Sequence, residues 1–121
     1  MLSTRVHGMI DYLVGVLLIV APYALGFADG TAAQFVPVLL GVFVIVYSLV
    51  TQYELSILKL IPISVHLILD AGGGLLLIAS PWLFHFADVV WLPHVVVGIV
   101  DIGVVLLTQR RRLSPQMRTG S

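Results

Sequence analysis

His7, Asp11 and Gly15 stand four residues apart along an apolar stretch, and His66, Asp70 and Gly74 repeat that spacing in the second half of the chain. A step of four places each trio on one face of a helix. An imidazole beside a carboxylate in an apolar setting can do three kinds of work. It can join helices through hydrogen bonds, with Gly15, Gly74, Gly98 and Gly103 allowing close approach. It can relay protons or ions, in a pathway formed by His7, Asp11, His66, Asp70 and Asp101. It can also hold a cofactor, with His7 and His66 as symmetric ligands of a haem, or of a metal whose ligand orientation comes from Asp11 and Asp70. The nearest partner of each aspartate is then the histidine one turn away on its own helix.

Enzymatic chemistry is not indicated. There is no nucleophile motif, no HExxH zinc motif and no glycine-rich phosphate loop, so no catalytic residue is assigned. The run at 71–74, Ala-Gly-Gly-Gly, has no preceding strand and no phosphate-binding lysine, and reads as a packing notch. A second polar group comprises His85, His94, Asp88 and Asp29. Imidazole and carboxylate suit zinc or copper, but no two histidines here lie one helical turn apart. These groups read as solvated, and no metal site or cofactor is assigned.

The elements that position these residues follow from composition. Of 121 residues, 60% are hydrophobic and 10% charged, against about 25% charged in soluble domains; mean hydropathy is +1.11. A soluble protein of this size could not hide so much apolar surface. The net charge is zero, which gives no reason to expect a nucleic-acid partner, and the absence of cysteine excludes disulfides and thiolate metal sites. Four apolar windows, 6–27, 33–51, 61–84 and 89–109, each approach the roughly 20 residues that cross a bilayer. Their β-branched residues would suggest strands in water. In lipid, where the backbone must satisfy its own hydrogen bonds, four such windows are helices, too few to close a barrel. A cleaved signal peptide fits the first window poorly, because Asp11 interrupts it.

The windows form a repeat. Residues 7–29 align with 66–88 without a gap, with ten identities in 23 positions, including both His–Asp–Gly trios, Pro22 with Pro81 and Asp29 with Asp88. After a two-residue deletion the match resumes, pairing Gly41 with Gly98 and Thr51-Gln52 with Thr108-Gln109. The chain is read as an all-α membrane domain over 1–109, made of two helical hairpins (6–52 and 61–109) and followed by a basic, flexible tail over 110–121. Each repeat crosses twice, so the repeats are parallel and the expected pseudo-two-fold axis runs along the membrane normal. Arg5, Lys59, Arg110, Arg111, Arg112 and Arg118 all fall in the terminal segments or the central loop. By the positive-inside rule those segments are cytoplasmic, in a multi-pass membrane protein. At 1.5 Å per residue, Asp11 lies roughly 9 Å past Arg5, Asp70 roughly 16 Å past Lys59 and Asp101 roughly 13 Å from Arg110, which places Asp70 nearer the midplane than Asp11.

Ser80-Pro81-Trp82, late in an apolar helix and followed by a short loop and a second apolar helix containing Gly98, resembles the signature of the SPW repeat family of small bacterial membrane proteins. The first repeat departs from it, reading Ala21-Pro22-Tyr23. The resemblance implies the fold and adds no catalytic residues. Physically, Pro81 should end or kink its helix near the outer surface, Ser80 can satisfy backbone groups this frees, and Trp82 can sit among headgroups, with Pro22 and Tyr23 as counterparts. The expected protein is a non-enzymatic structural or interaction component in the lipid bilayer, a homo-oligomer or a subunit of a membrane complex. The competing expectation is an oligomeric proton, ion or small-solute transporter; four helices alone leave little room for a pore.

Overall fold

The computed structural model describes residues 3–51 and 56–113, and the side chains among them up to Thr108. The segment 114–121, including Arg118, and the side chains of Arg110, Arg111 and Arg112 lie outside that description. Four helices run α1 (Thr4–Ala24), α2 (Ala32–Leu49), α3 (Ile63–Leu83) and α4 (Leu92–Leu113). Helix α4 thus continues past Gln109, where a flexible tail was expected to begin.

Local signals account for the helix ends. Ser3 caps α1 by accepting from the Val6 amide at 3.2 Å, and Thr31 caps α2 by accepting from the Ala33 amide at 3.3 Å. Asp29 holds that cap in place, accepting from the Thr31 amide at 3.0 Å and the Thr31 hydroxyl at 2.6 Å. The Thr31 hydroxyl and amide keep the Asp29 carboxyl below the usual carboxylate range. The far ends of α1 and α3 share one design. The amide of Phe27 bonds back to the carbonyl of Pro22, and that of Phe86 to Pro81, each at 2.8 Å. These are Schellman closures, which need a left-handed residue just before the bonded amide. Gly26 supplies it in the first repeat at φ 81°, and His85 in the second at φ 60°.

Helix α1 packs most closely on α2, and α3 on α4. Glycines set these two crossings. A Cβ added at Gly41 would lie 2.6 Å from the carbonyl oxygen of Gly15, and one at Gly98 would lie 2.6 Å from that of Gly74. Gly103 does not share this role: an added Cβ would meet nothing within 4 Å among the described residues. Of the glycine run, only Gly74 is a packing contact. Gly72 is open and Gly73 nearly so, and both border a recess of about 430 Å³ between α2 and α3.

The two hairpins meet around Val14, Leu18 and Leu77. Both short loops close at one end, where Phe27, Ala33 and Phe86 pack together. His94, expected on the outer face among solvated groups, is buried there instead. Its Nε2 donates to the Ala33 carbonyl at 3.0 Å, and its ring lies against Phe27 and Phe86. The distribution of polarity is the reverse of a soluble protein's. His7, Asp11, His66, Asp70, Ser48, Thr51 and Thr108 are fully buried, whereas Leu13, Leu17, Phe43, Ile68, Leu75 and Ile99 point outward. An apolar exterior around a polar centre is stable in hydrocarbon. Helices α1, α2 and α3 are long and apolar enough to span a bilayer; the apolar part of α4, Leu92–Thr108, is somewhat shorter.

Candidate functional site

Helices α1 and α3 start at the same end of the bundle, so their polar stripes face each other. Asp11 lies seven residues past Thr4 and Asp70 seven past Ile63, so both sit roughly 10 Å into their helices. The expected deeper placement of Asp70 does not hold, because the residues following Lys59 are not helical and α3 begins only at Ile63.

The four side chains form a closed box. His7 Nε2 lies 2.6 Å from Asp70 Oδ2, and His66 Nε2 lies 2.6 Å from Asp11 Oδ2. The pairs one turn apart on the same helix are longer, 3.2 Å for His7 with Asp11 and 3.3 Å for His66 with Asp70. The strongest partner of each aspartate is therefore the histidine of the other repeat. Each histidine is held from behind by a threonine, one inside α4 and the other two residues past α2. His7 Nδ1 is 2.8 Å from Thr108 Oγ1, and His66 Nδ1 is 2.7 Å from Thr51 Oγ1. The threonines, not Asp11 and Asp70, orient the second nitrogens.

Position-matched residues make matched bonds, with one exception. The Tyr47 hydroxyl donates to Asp70 Oδ1. The repeat aligns Tyr47 with Val104, which has no donor. Accordingly Asp11 Oδ1 is buried with no hydrogen-bond partner among the described residues. Asp101 makes none of these bonds; it is nearly buried and borders the recess with Tyr47, Leu40 and Phe43. A haem bridging His7 and His66 does not fit, because the two Nε2 atoms face carboxylate oxygens at hydrogen-bond distance and leave no plane for a macrocycle.

At the opposite end, the Ser80-Pro81-Trp82 stretch has a local purpose. Proline at 81 has no amide to offer the carbonyl of Leu77, and the Ser80 hydroxyl donates to that carbonyl at 2.8 Å instead. The helix runs through Pro81 and stops at Leu83. In the first repeat the equivalent position is Ala21, without a hydroxyl. Trp82 is largely exposed and lies 6.4 Å from Trp91, as Tyr23 is exposed at the matching place. Ser80→Ala is expected to lower stability by about 1 kcal/mol, read from unfolding in mixed detergent micelles, through the unsatisfied Leu77 carbonyl. An unchanged midpoint would show that the carbonyl finds another donor.

Tyr47, Thr51 and Thr108 were not foreseen as site residues. The signal for the threonines was present, since both stand at the same place in the repeat; Tyr47 has no counterpart and gave none.

Helices of this length and polarity, closed on a buried polar centre, define a multi-pass α-helical membrane protein. The model of the SPW repeat domain matches residues 5–108, and the chain belongs to that family. No curated protein and no solved structure matches the chain.

Proposed function

We propose that the protein is a non-enzymatic structural component of a bacterial inner membrane, in which the His–Asp box locks two hairpins into one unit. One observation carries this reading: the box spends its short bonds between repeats, His7 on Asp70 and His66 on Asp11, with all four side chains buried. Tyr47 and the two threonines extend the lock to α2 and α4. In hydrocarbon, interhelical polar bonds contribute roughly 0.6 to 2 kcal/mol each. Cytoplasmic termini, a pseudo-two-fold along the membrane normal and assembly into a homo-oligomer or a larger complex complete the proposal. Arg5 and Lys59 near the starts of α1 and α3, with Asp29 and Asp88 in the opposite loops, support that orientation.

A pathway for protons or ions is the competing reading, favoured by the recess that Asp101 and Tyr47 both line, with Tyr47 in turn bonded to Asp70. Proteoliposomes separate the two. The lock predicts no proton or cation flux above empty vesicles; flux abolished by Asp101→Asn overturns it. Because the chain has no native cysteine, single cysteines at Asp29 and Lys59 report orientation. Membrane-impermeant thiol reagents are expected to label the first from outside the cell and not the second. Native mass spectrometry from the membrane reads the oligomer directly.

A further inference from the structure

The threonines behind the box decide which nitrogen of each histidine faces into it. Thr108 gives its single hydroxyl proton to the Val104 carbonyl at 2.8 Å, and Thr51 gives its own to the Tyr47 carbonyl at 2.5 Å. Toward the histidines these oxygens can only accept. A neutral ring therefore carries its proton on Nδ1 and turns the lone pair of Nε2 toward the carboxylates, whereas a protonated ring donates from Nε2 to them.

Four ligand-type atoms then converge, all within 4.8 Å of one another: Nε2 of His7 and His66, and an oxygen each of Asp11 and Asp70. Two neutral imidazoles and two carboxylates carry a charge of minus two in a region that water does not reach. Their mutual approach requires positive charge inside the box, which two protons or a single divalent cation can supply.

The geometry points to a four-ligand site, His7, Asp11, His66 and Asp70, for one divalent first-row transition ion, zinc foremost, clamping α1 to α3. Nitrogen and carboxylate oxygen are zinc donors at about 2.0 to 2.2 Å, which sets ligand–ligand edges of roughly 3.3 Å in a tetrahedron. The two same-helix edges already have that length, 3.2 and 3.3 Å. The two cross-repeat edges of 2.6 Å need to open by roughly 0.7 Å, a side-chain movement. The threonines behind Nδ1 are the outer partners that metal-bound histidines require. Asp11 Oδ1, buried and without a hydrogen-bond partner among the described residues, is a further donor available to the ion. The donor set lacks the thiolates that soft ions favour and has too few oxygens for calcium or magnesium.

The site deepens the lock reading, since the ion fastens the same two helices, and the two can fail separately. The full chain, purified through a tag free of histidine, is loaded with zinc, desalted and measured by elemental mass spectrometry. About one zinc per chain is expected. Cobalt loading is expected to give the visible absorption of a four-coordinate nitrogen and oxygen site. His66→Ala is expected to abolish both signals, and Asp101→Asn to leave them intact. Should His66→Ala fail to fold, Thr108→Val keeps all four ligands and is expected to weaken zinc affinity about 10-fold or more. A folded wild-type protein with no zinc above buffer and no cobalt absorption overturns the site. So does full zinc retention in a folded His66→Ala, or unaltered affinity in Thr108→Val. No zinc in a flux-free protein removes the metal and leaves the lock; flux through a zinc-loaded protein does the reverse.

Discussion

Asp70→Ala is expected to destabilise the bundle by about 3 kcal/mol, whereas Asp11→Ala costs about 1 kcal/mol less. Both changes remove a carboxylate that faces a histidine of the other repeat at 2.6 Å. Both leave an imidazole in an apolar interior with its facing partner gone, which is the larger part of the cost. The difference comes from Tyr47. Its hydroxyl donates to Asp70 Oδ1, while the matching oxygen of Asp11 has no partner among the described residues. Losing Asp70 therefore strands a second buried donor, and losing Asp11 does not. The comparison is cleanest as a double-mutant cycle with Tyr47→Phe, followed by reversible unfolding in mixed micelles. In the Tyr47→Phe background the two aspartate changes should cost the same. Equal costs with Tyr47 present would mean that its bond to Asp70 contributes nothing.

That asymmetry marks where sequence reasoning stopped. The His–Asp–Gly stripes were legible because a step of four is a helical face and because the step occurs twice. Their crosswise pairing was not. Within one helix the partner one turn away is the natural choice, and only the approach of α1 to α3 brings His7 nearer to Asp70 than to Asp11. Tyr47 was invisible for a related reason: its aligned partner is Val104, so no repetition drew attention to it. Thr51 and Thr108 did repeat, yet a threonine at the end of an apolar window looks like a terminus until a histidine is found against it.

The fold was more legible than the site, since length and hydropathy determine a membrane helix more directly than they determine a side-chain contact. Errors arose where a local break mattered. Counting Asp70 from Lys59 assumed a helix that begins only at Ile63, and this moved the residue too deep. His94 was placed with exposed loop groups, although the chain turns it inward between Phe27 and Phe86. The glycines divided in the same manner. Spacing could not tell Gly98, which touches the neighbouring backbone, from Gly103, which touches nothing within 4 Å among the described residues.

This division yields a prediction with opposite signs on one helix. Gly98→Ala is expected to destabilise the protein by about 1 to 3 kcal/mol, and Gly103→Ala to stabilise it by up to about 1 kcal/mol. At Gly98 the new methyl lies 2.6 Å from the carbonyl oxygen of Gly74 and 2.7 Å from Ile78. Ile78 can move, but the carbonyl belongs to the backbone of α3, so the two helices must separate. Separation along α4 also draws Thr108 away from His7 Nδ1, so the effect reaches the box. At Gly103 the methyl meets nothing within 4 Å among the described residues, and only the preference of a helix for alanine over glycine is felt. Gly41→Ala should repeat the Gly98 result in the first hairpin, where the added atom meets Gly15 O at 2.6 Å. Unfolding midpoints of the three variants, with helicity checked by circular dichroism, decide the matter. A stable Gly98→Ala would mean that α3 and α4 pack more loosely than a shared glycine contact allows, and the hairpin would then owe its closure to the Phe86 and His94 cluster at its far end.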